Sequence, residues 1–258
     1  MASWMFTAWA FVLGACLGSF YGLAVYRYAN EIPMRGRSFC PSCKKTLRPR
    51  HLAPVLSWLF LRGRCGFCRE PIGFANLFVE CVSGLVAALL AARYGLGPAF
   101  AVILPICGAL IVLAGIDAAC HILPDGIIAP LAPVALIAAI WVLHGGWLES
   151  LAGGLAGAAL LFGLRRVFFA VRGIEALGLG DVKLMLPLGF LCGLHNLPLL
   201  LLAASLSGLA ASPYWLAKAS GRAGRAAWRT TRIPFGPFLA FGCFISVLYG
   251  EKIRDILM

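Results

Sequence analysis

Long apolar runs separated by short polar stretches dominate the chain. They fall near residues 4–26, 73–93, 98–118, 126–144, 148–170, 182–195, 196–217 and 234–250. A helix needs about 20 apolar residues to cross the roughly 30 Å hydrocarbon core of a bilayer, and all but one of these runs approach that length. The pattern predicts an all-α polytopic membrane protein with about eight transmembrane helices. The first run is unlike a signal peptide, because its start, MASWMFTAWA, has no basic residue and the Arg and Lys cluster follows it. It reads as a retained helix. The run 182–195 is the short one, and it holds Pro187, Gly189 and Gly193. That predicts a buried or partly re-entrant segment.

Composition supports this reading. Hydrophobic residues make up 61% of the 258, charged residues only 12%, and the mean hydropathy is +0.91. Such a chain is neither a soluble domain nor disordered, and no period of 20–50 residues repeats along it. The net charge of +12 raises nucleic acid as a partner, but its placement gives another account. Ten Lys and Arg lie in 27–73, four in 165–183 and five in 218–232, so 19 of the 22 fall on one side of the expected bundle. The positive-inside rule then puts the loops 27–73, 119–125, 171–181 and 218–233 in the cytoplasm and both termini outside it. A bacterial inner membrane is the expected host, the basic excess suits anionic lipid, and no nucleic-acid partner is expected.

The segments divide into a first helix, 1–26, a cytoplasmic loop, 27–73, and a membrane bundle, 74–258. The loop carries Cys40-Pro-Ser-Cys43 and Cys65-Gly-Phe-Cys68, with 21 residues between the pairs. Two such pairs offer four thiolates on two tight turns, which suits a closed tetrahedral zinc site. Two disulfides are the competing reading, and a reducing cytosol disfavours them. Zinc held by Cys40, Cys43, Cys65 and Cys68 is expected to be structural, because four sulfurs leave no position open for water. Cys16, Cys81, Cys107, Cys120, Cys192 and Cys243 lie in or beside apolar runs and read as small hydrophobic residues.

Acids in or bordering membrane spans are costly, so each is a functional candidate. Here they are Glu80, Asp117, Asp125 and Asp181. Topology puts the three aspartates on the cytoplasmic side near one depth. Two facing carboxylates, Asp117 and Asp181, can divide the work of hydrolysis: one charged, to take a proton from water, and one protonated, to donate to the scissile carbonyl. Gly178 and Gly180, ahead of Asp181, leave room for a substrate backbone or a neighbouring helix. More ordinary roles stay open. Asp125 fits a helix cap as well as a catalyst, Glu80 fits a partner for a basic residue of the loop, and Lys183 fits a snorkelling anchor.

Taken in order, these segments resemble the bacterial type IV prepilin peptidases. The resemblance is carried by Gly18-Ser-Phe20, Tyr26-Arg27, the two Cys pairs around Pro54-Val-Leu-Ser-Trp58 and Leu61-Arg-Gly-Arg-Cys65, and Asp117 with Leu123-Pro-Asp125. It continues in Glu175-Ala-Leu-Gly-Leu-Gly-Asp-Val-Lys183 and Ile233-Pro-Phe-Gly-Pro-Phe238. It implies an intramembrane aspartyl protease with Asp117 and Asp181 as catalytic residues. Gly178, Gly180, Lys183, Asp125, Glu175 and Glu80 would be supporting or substrate-binding residues. Prepilins and pseudopilins are the implied substrates, cut at the cytoplasmic face. Methylation of the new N-terminus with S-adenosylmethionine is implied as a second step, placed by analogy at the cysteine loop and Glu80. No glycine-rich cofactor fingerprint supports that second step. Gly22 departs from the family pattern, which often has Asn there. The glycines Gly153, Gly154, Gly157 and Gly178 offer faces on which a substrate helix would pack closely. Two other readings keep the same topology: a transporter using the acids as an ion path, and a methyltransferase without proteolysis.

Overall fold

The computed structural model describes residues 2–48, 51–143, 145–173, 177–223 and 233–257, with side chains described from 4 to 217 and 233 to 250 within those ranges. Eight helices appear among them: α1 (Ala2–Ala29), α2 (Leu56–Phe60), α3 (Phe74–Tyr94), α4 (Pro98–Cys120), α5 (Asp125–Trp141), α6 (Trp147–Arg172), α7 (Leu179–Ala223) and α8 (Gly236–Leu257). Among the described residues there is no strand, only two isolated bridges, Phe39 with Thr46 and Arg64 with Pro71. The expected all-α class therefore holds.

Two compact units divide the chain, residues 1–115 and 116–258. In the first, α1 lies against α3 because small residues remove the side chains that would separate them. A Cβ on Gly14 would strike Ser83 and Ala87, and one on Gly18 would strike Glu80 and Ser83. In the second, α6 and α7 meet along a glycine seam. Gly153 faces the backbone of Gly189 and Gly193, Gly154 faces Phe190, and Gly157 faces Met185. The glycines expected to receive a substrate helix at 153, 154 and 157 are thus already filled by α7.

Among the described residues, five helices are long and apolar enough to cross a membrane: Trp4–Ala29, Phe74–Tyr94, Pro98–Cys120, Trp147–Arg172 and Leu179–Ala217. Two more apolar helices are shorter, Asp125–Trp141 and Gly236–Gly250. The difference from the expected eight has physical causes. The runs 182–195 and 196–217 follow one another in α7 across Gly193, whose φ of 75° and ψ of 168° break the helix without a loop. At that break His195 Nδ1 and Glu149 Oε1 of α6 lie 2.7 Å apart. The run 126–144 forms a helix of only 17 residues, containing Pro130 and Pro133.

Candidate functional site

In the unit 116–258 the end of α4, the start of α5 and the start of α7 surround a cleft of about 300 Å³. Asp117 and Asp181 both line it, with His121, Leu123, Asp125, Gly178, Gly180 and Lys183. The two aspartates are 6% and 8% exposed and lie within electrostatic reach of one another. Residues 64 positions apart in sequence are therefore brought to one cavity wall. Burying two carboxylates beside each other is expensive, which makes the pair a functional-site candidate.

The chain around them is shaped to supply backbone donors. Gly236, the first residue of α8, donates its N–H to Asp117 Oδ2 at 2.9 Å. A Cβ at 236 would approach that oxygen to 2.8 Å, so glycine permits the contact. Gly178 likewise donates its backbone N–H to the Asp181 carboxylate. Asp181 Oδ1 is buried with no hydrogen-bond partner. The two acids thus differ: Asp117 is held by α8, while Asp181 keeps one oxygen free inside the cleft.

The turn between α4 and α5 closes one side. His121 takes φ 55°, with its N–H on the Asp117 carbonyl at 2.8 Å. This reverses the chain directly after α4 and lays Leu123 against Gly180, where a Cβ would come within 2.9 Å of the leucine. The neighbour that Gly180 admits is therefore this turn. Asp125 is the first residue of α5, and its side chain makes no cap hydrogen bond. Its carboxylate accepts from Lys183 Nζ at 2.7 and 2.9 Å, so of the roles left open for Asp125 the side-chain cap is not observed, and Lys183 has an ion-pair partner. The pair is solvent-exposed, at 50% for Lys183 and 65% for Asp125.

Two contributors escaped the sequence reading. The Gly236 amide lies in Pro234-Phe-Gly-Pro237, a segment visible in sequence as a motif but without a role. His121 carried no signal beyond its place between Asp117 and Asp125. Glu175 lies outside the described residues.

In the unit 1–115 the Cys40, Cys43, Cys65 and Cys68 sulfurs all lie within 4.8 Å of one another, and those of Cys40 and Cys68 are 3.8 Å apart. Tetrahedral zinc with bonds of about 2.3 Å sets its sulfurs about 3.8 Å apart, so the spacing fits the metal. It does not fit two disulfides, and all four thiols are free. The two knuckles repeat one backbone design. Lys44 and Arg69, each directly after a pair, take φ 57° and 62°. Their N–H groups bond the Cys40 and Cys65 carbonyls, while the Cys40 and Cys65 N–H groups bond Lys45 and Glu70. Burial raises the Cys40 thiol, but N–H groups of Cys43 and Ser42 and the neighbouring sulfurs outweigh it, bringing it down to about 7. That sulfur is prepared to lose its proton to a metal.

Glu80 is buried on α3, and its Oε2 accepts the Val55 N–H at 2.7 Å. The partner is a backbone amide of the loop, where a basic side chain of the loop was one of the open readings. Arg27 closes α1 with its guanidinium on the carbonyls of Pro33, Gly36 and Arg37. The place of a side chain at Gly22 is taken by the Asn76 amide of α3.

Comparison with known proteins follows this division. Residues 12–94 match the model of the bacterial Peptidase A24 N-terminal domain, and residues 104–212 match that of the type IV leader peptidase family. A prepilin leader peptidase/N-methyltransferase of Burkholderia pseudomallei (strain 1026b) is 33% identical over 97% of this chain and 87% of its own. One from Pseudomonas putida is 33% identical over 96% of this chain and 92% of its own. One from Aeromonas hydrophila is 30% identical over 97% and 93%. No solved structure matches the chain. With relatives of this identity along almost its whole length, the chain belongs to the type IV leader peptidase family and is a multi-pass membrane peptidase of that family.

Proposed function

We propose that the chain is an intramembrane aspartyl endopeptidase that removes the leader of type IV prepilins and pseudopilins at the cytoplasmic face of a bacterial inner membrane. The observation that carries this reading is the pair of buried acids, Asp117 and Asp181, on one cleft, one of them with an unpartnered oxygen. The charged carboxylate of the pair takes a proton from water as that water attacks the scissile carbonyl carbon. The protonated carboxylate gives its proton to the carbonyl oxygen; collapse of the tetrahedral adduct then expels the amine, which takes the proton that the first carboxylate received from water, while the adduct hydroxyl returns a proton to the second. The Gly236 and Gly178 amides orient the two acids. Asp125 and Lys183 join α5 to α7 at the mouth of the cleft.

The three-part organisation, 1–26, 27–73 and 74–258, belongs to the same reading, as do eight crossings with α5, α8 and the two halves of α7 each counted as one. Zinc on Cys40, Cys43, Cys65 and Cys68 supplies four bonds that fold a basic loop too small for a core. N-methylation of the processed substrate is proposed from the names of the relatives. Glu80, placed with the cysteine loop by the same analogy, spends one carboxylate oxygen on the Val55 N–H.

The test is mass spectrometry of the N-terminus of a prepilin co-expressed with this chain. The expected product lacks its leader and carries one methyl group, whereas Asp117→Asn and Asp181→Asn each leave the leader in place. Leader removal by both variants would refute the proposal.

A further inference from the structure

The helix α2, Leu56–Phe60, turns its apolar side chains outward. Phe60 is 84% exposed, and Leu56 and Leu59 are each 56% exposed. Trp58 of the same helix packs inward, against Gly63 and edge-on to Phe74 at 6.0 Å between ring centroids. Three large apolar groups facing water on five residues of a metal-folded loop would be costly. Their location accounts for them.

Two tethers fix the height of α2 beside α3. Trp58 meets Phe74, the first residue of α3, and the Val55 N–H reaches Glu80, six residues further along. Six residues of helix rise about 9 Å, less the lean of the glutamate back toward its own N-terminus. The helix α3 has 21 residues, hence a length of about 31 Å, which is barely the thickness of the hydrocarbon core. It has no turn to spare, so Phe74 stands at the boundary and whatever lies beside its first two turns is level with lipid. The Val55 backbone adds a second sign of constraint, because its φ of 60° is unfavourable for a β-branched residue and the Glu80 bond holds it there.

We infer that α2 is an interfacial anchor that seats Leu56, Leu59 and Phe60 in the headgroup and upper acyl region of an anionic bilayer. The charge around it suits that occupant. The segment 27–73 carries ten Lys and Arg against two acids, Glu31 and Glu70. Apolar side chains entering the acyl boundary beneath a basic surface are the combination that binds anionic membranes. The metal knuckle is thereby held against the bilayer from below as well as through the ends of α1 and α3.

The inference rests on α3 being a membrane crossing, and the experiment separates the two. A photoactivatable benzophenone amino acid is placed in turn at Phe60, at Phe78 on the exposed face of α3, and at Ser42 in the first knuckle. The full-length protein is reconstituted into vesicles of phosphatidylethanolamine and phosphatidylglycerol, irradiated and analysed by mass spectrometry. Zinc content confirms that each variant is folded. Lipid adducts at 60 as abundant as at 78, and absent at 42, are expected. Adducts at 78 but none at 60 overturn the anchor and leave the crossing intact, and so does crosslinking of 60 to a co-reconstituted prepilin in place of lipid. Absence of lipid at both 78 and 60 overturns the crossing and the anchor together.

Discussion

The cysteine loop and the aspartate cleft are both built from polar groups in a chain that is mostly apolar, yet they reach their geometry by opposite routes. In the loop each ligand pair is closed by its own three-residue turn, and the same hydrogen bonds recur at Lys44 and Arg69. In the cleft the decisive contacts are long-range. Asp117 ends one helix, Asp181 begins another, and the amide that holds Asp117 comes from Gly236, 119 residues away. A site assembled by neighbours along the chain is robust but rigid in its use. A site assembled by helix ends depends on the packing of everything between them.

The largest effect that can break this contrast is expected at the acids. Asp117→Asn or Asp181→Asn should lower leader removal by roughly 10²–10⁴-fold, the usual contribution of a positioned acid or base, while zinc content stays unchanged. Next is the loop. Cys40→Ser with Cys65→Ser should reduce bound zinc, read by atomic absorption, to near nothing, and trypsin should then cut within 35–69. Retained zinc would mean that the four sulfurs are not its ligands. Gly236→Ala sharpens the dependence of the cleft on distant elements. Its new methyl would crowd Asp117 Oδ2, and initial rates of leader removal should fall on the order of tenfold to a hundredfold, as misplaced catalytic groups do.

Smaller effects are expected where a contact supports rather than reacts. Glu80→Leu strips the part-buried Val55 N–H of its acceptor and should lower stability by about 1 kcal/mol in thermal unfolding in detergent, whereas Glu80→Gln keeps the acceptor and most of the stability. The exposed Asp125–Lys183 pair should matter least to stability. Lys183→Ala is expected to change it by less than about 1 kcal/mol, because water screens both charges.

How much of this was readable in the sequence follows the same contrast. The cysteine site was fully legible, since ligand spacing and turn geometry are properties of adjacent residues. The two aspartates were legible because an acid in an apolar run is conspicuous, and helix boundaries placed them at one end of the bundle. What closes around them was not. Hydrophobic pattern cannot reveal that a Gly amide at 236 finds an acid at 117, that Lys183 chooses Asp125, or that Gly153 and Gly154 serve the intramolecular α6–α7 seam rather than an incoming helix. How the runs 182–195 and 196–217 join was hidden for a related reason. A break at Gly193 splits the pattern into two runs, although the chain passes from one to the other with no loop between them.

The conformation at Gly193 has a mechanical consequence. Its φ and ψ lie in a region open essentially to glycine alone, so any other residue there would push the backbone toward an unbroken rod. The half bearing Asp181 is fastened to α6 by its glycines, and so the straightening would swing the later half, Leu194 onward, away from its bed on α8. A bulky replacement at Gly193, well along α7 from Asp181, would then disturb the packing of α7 on α8, with no change to any reacting group.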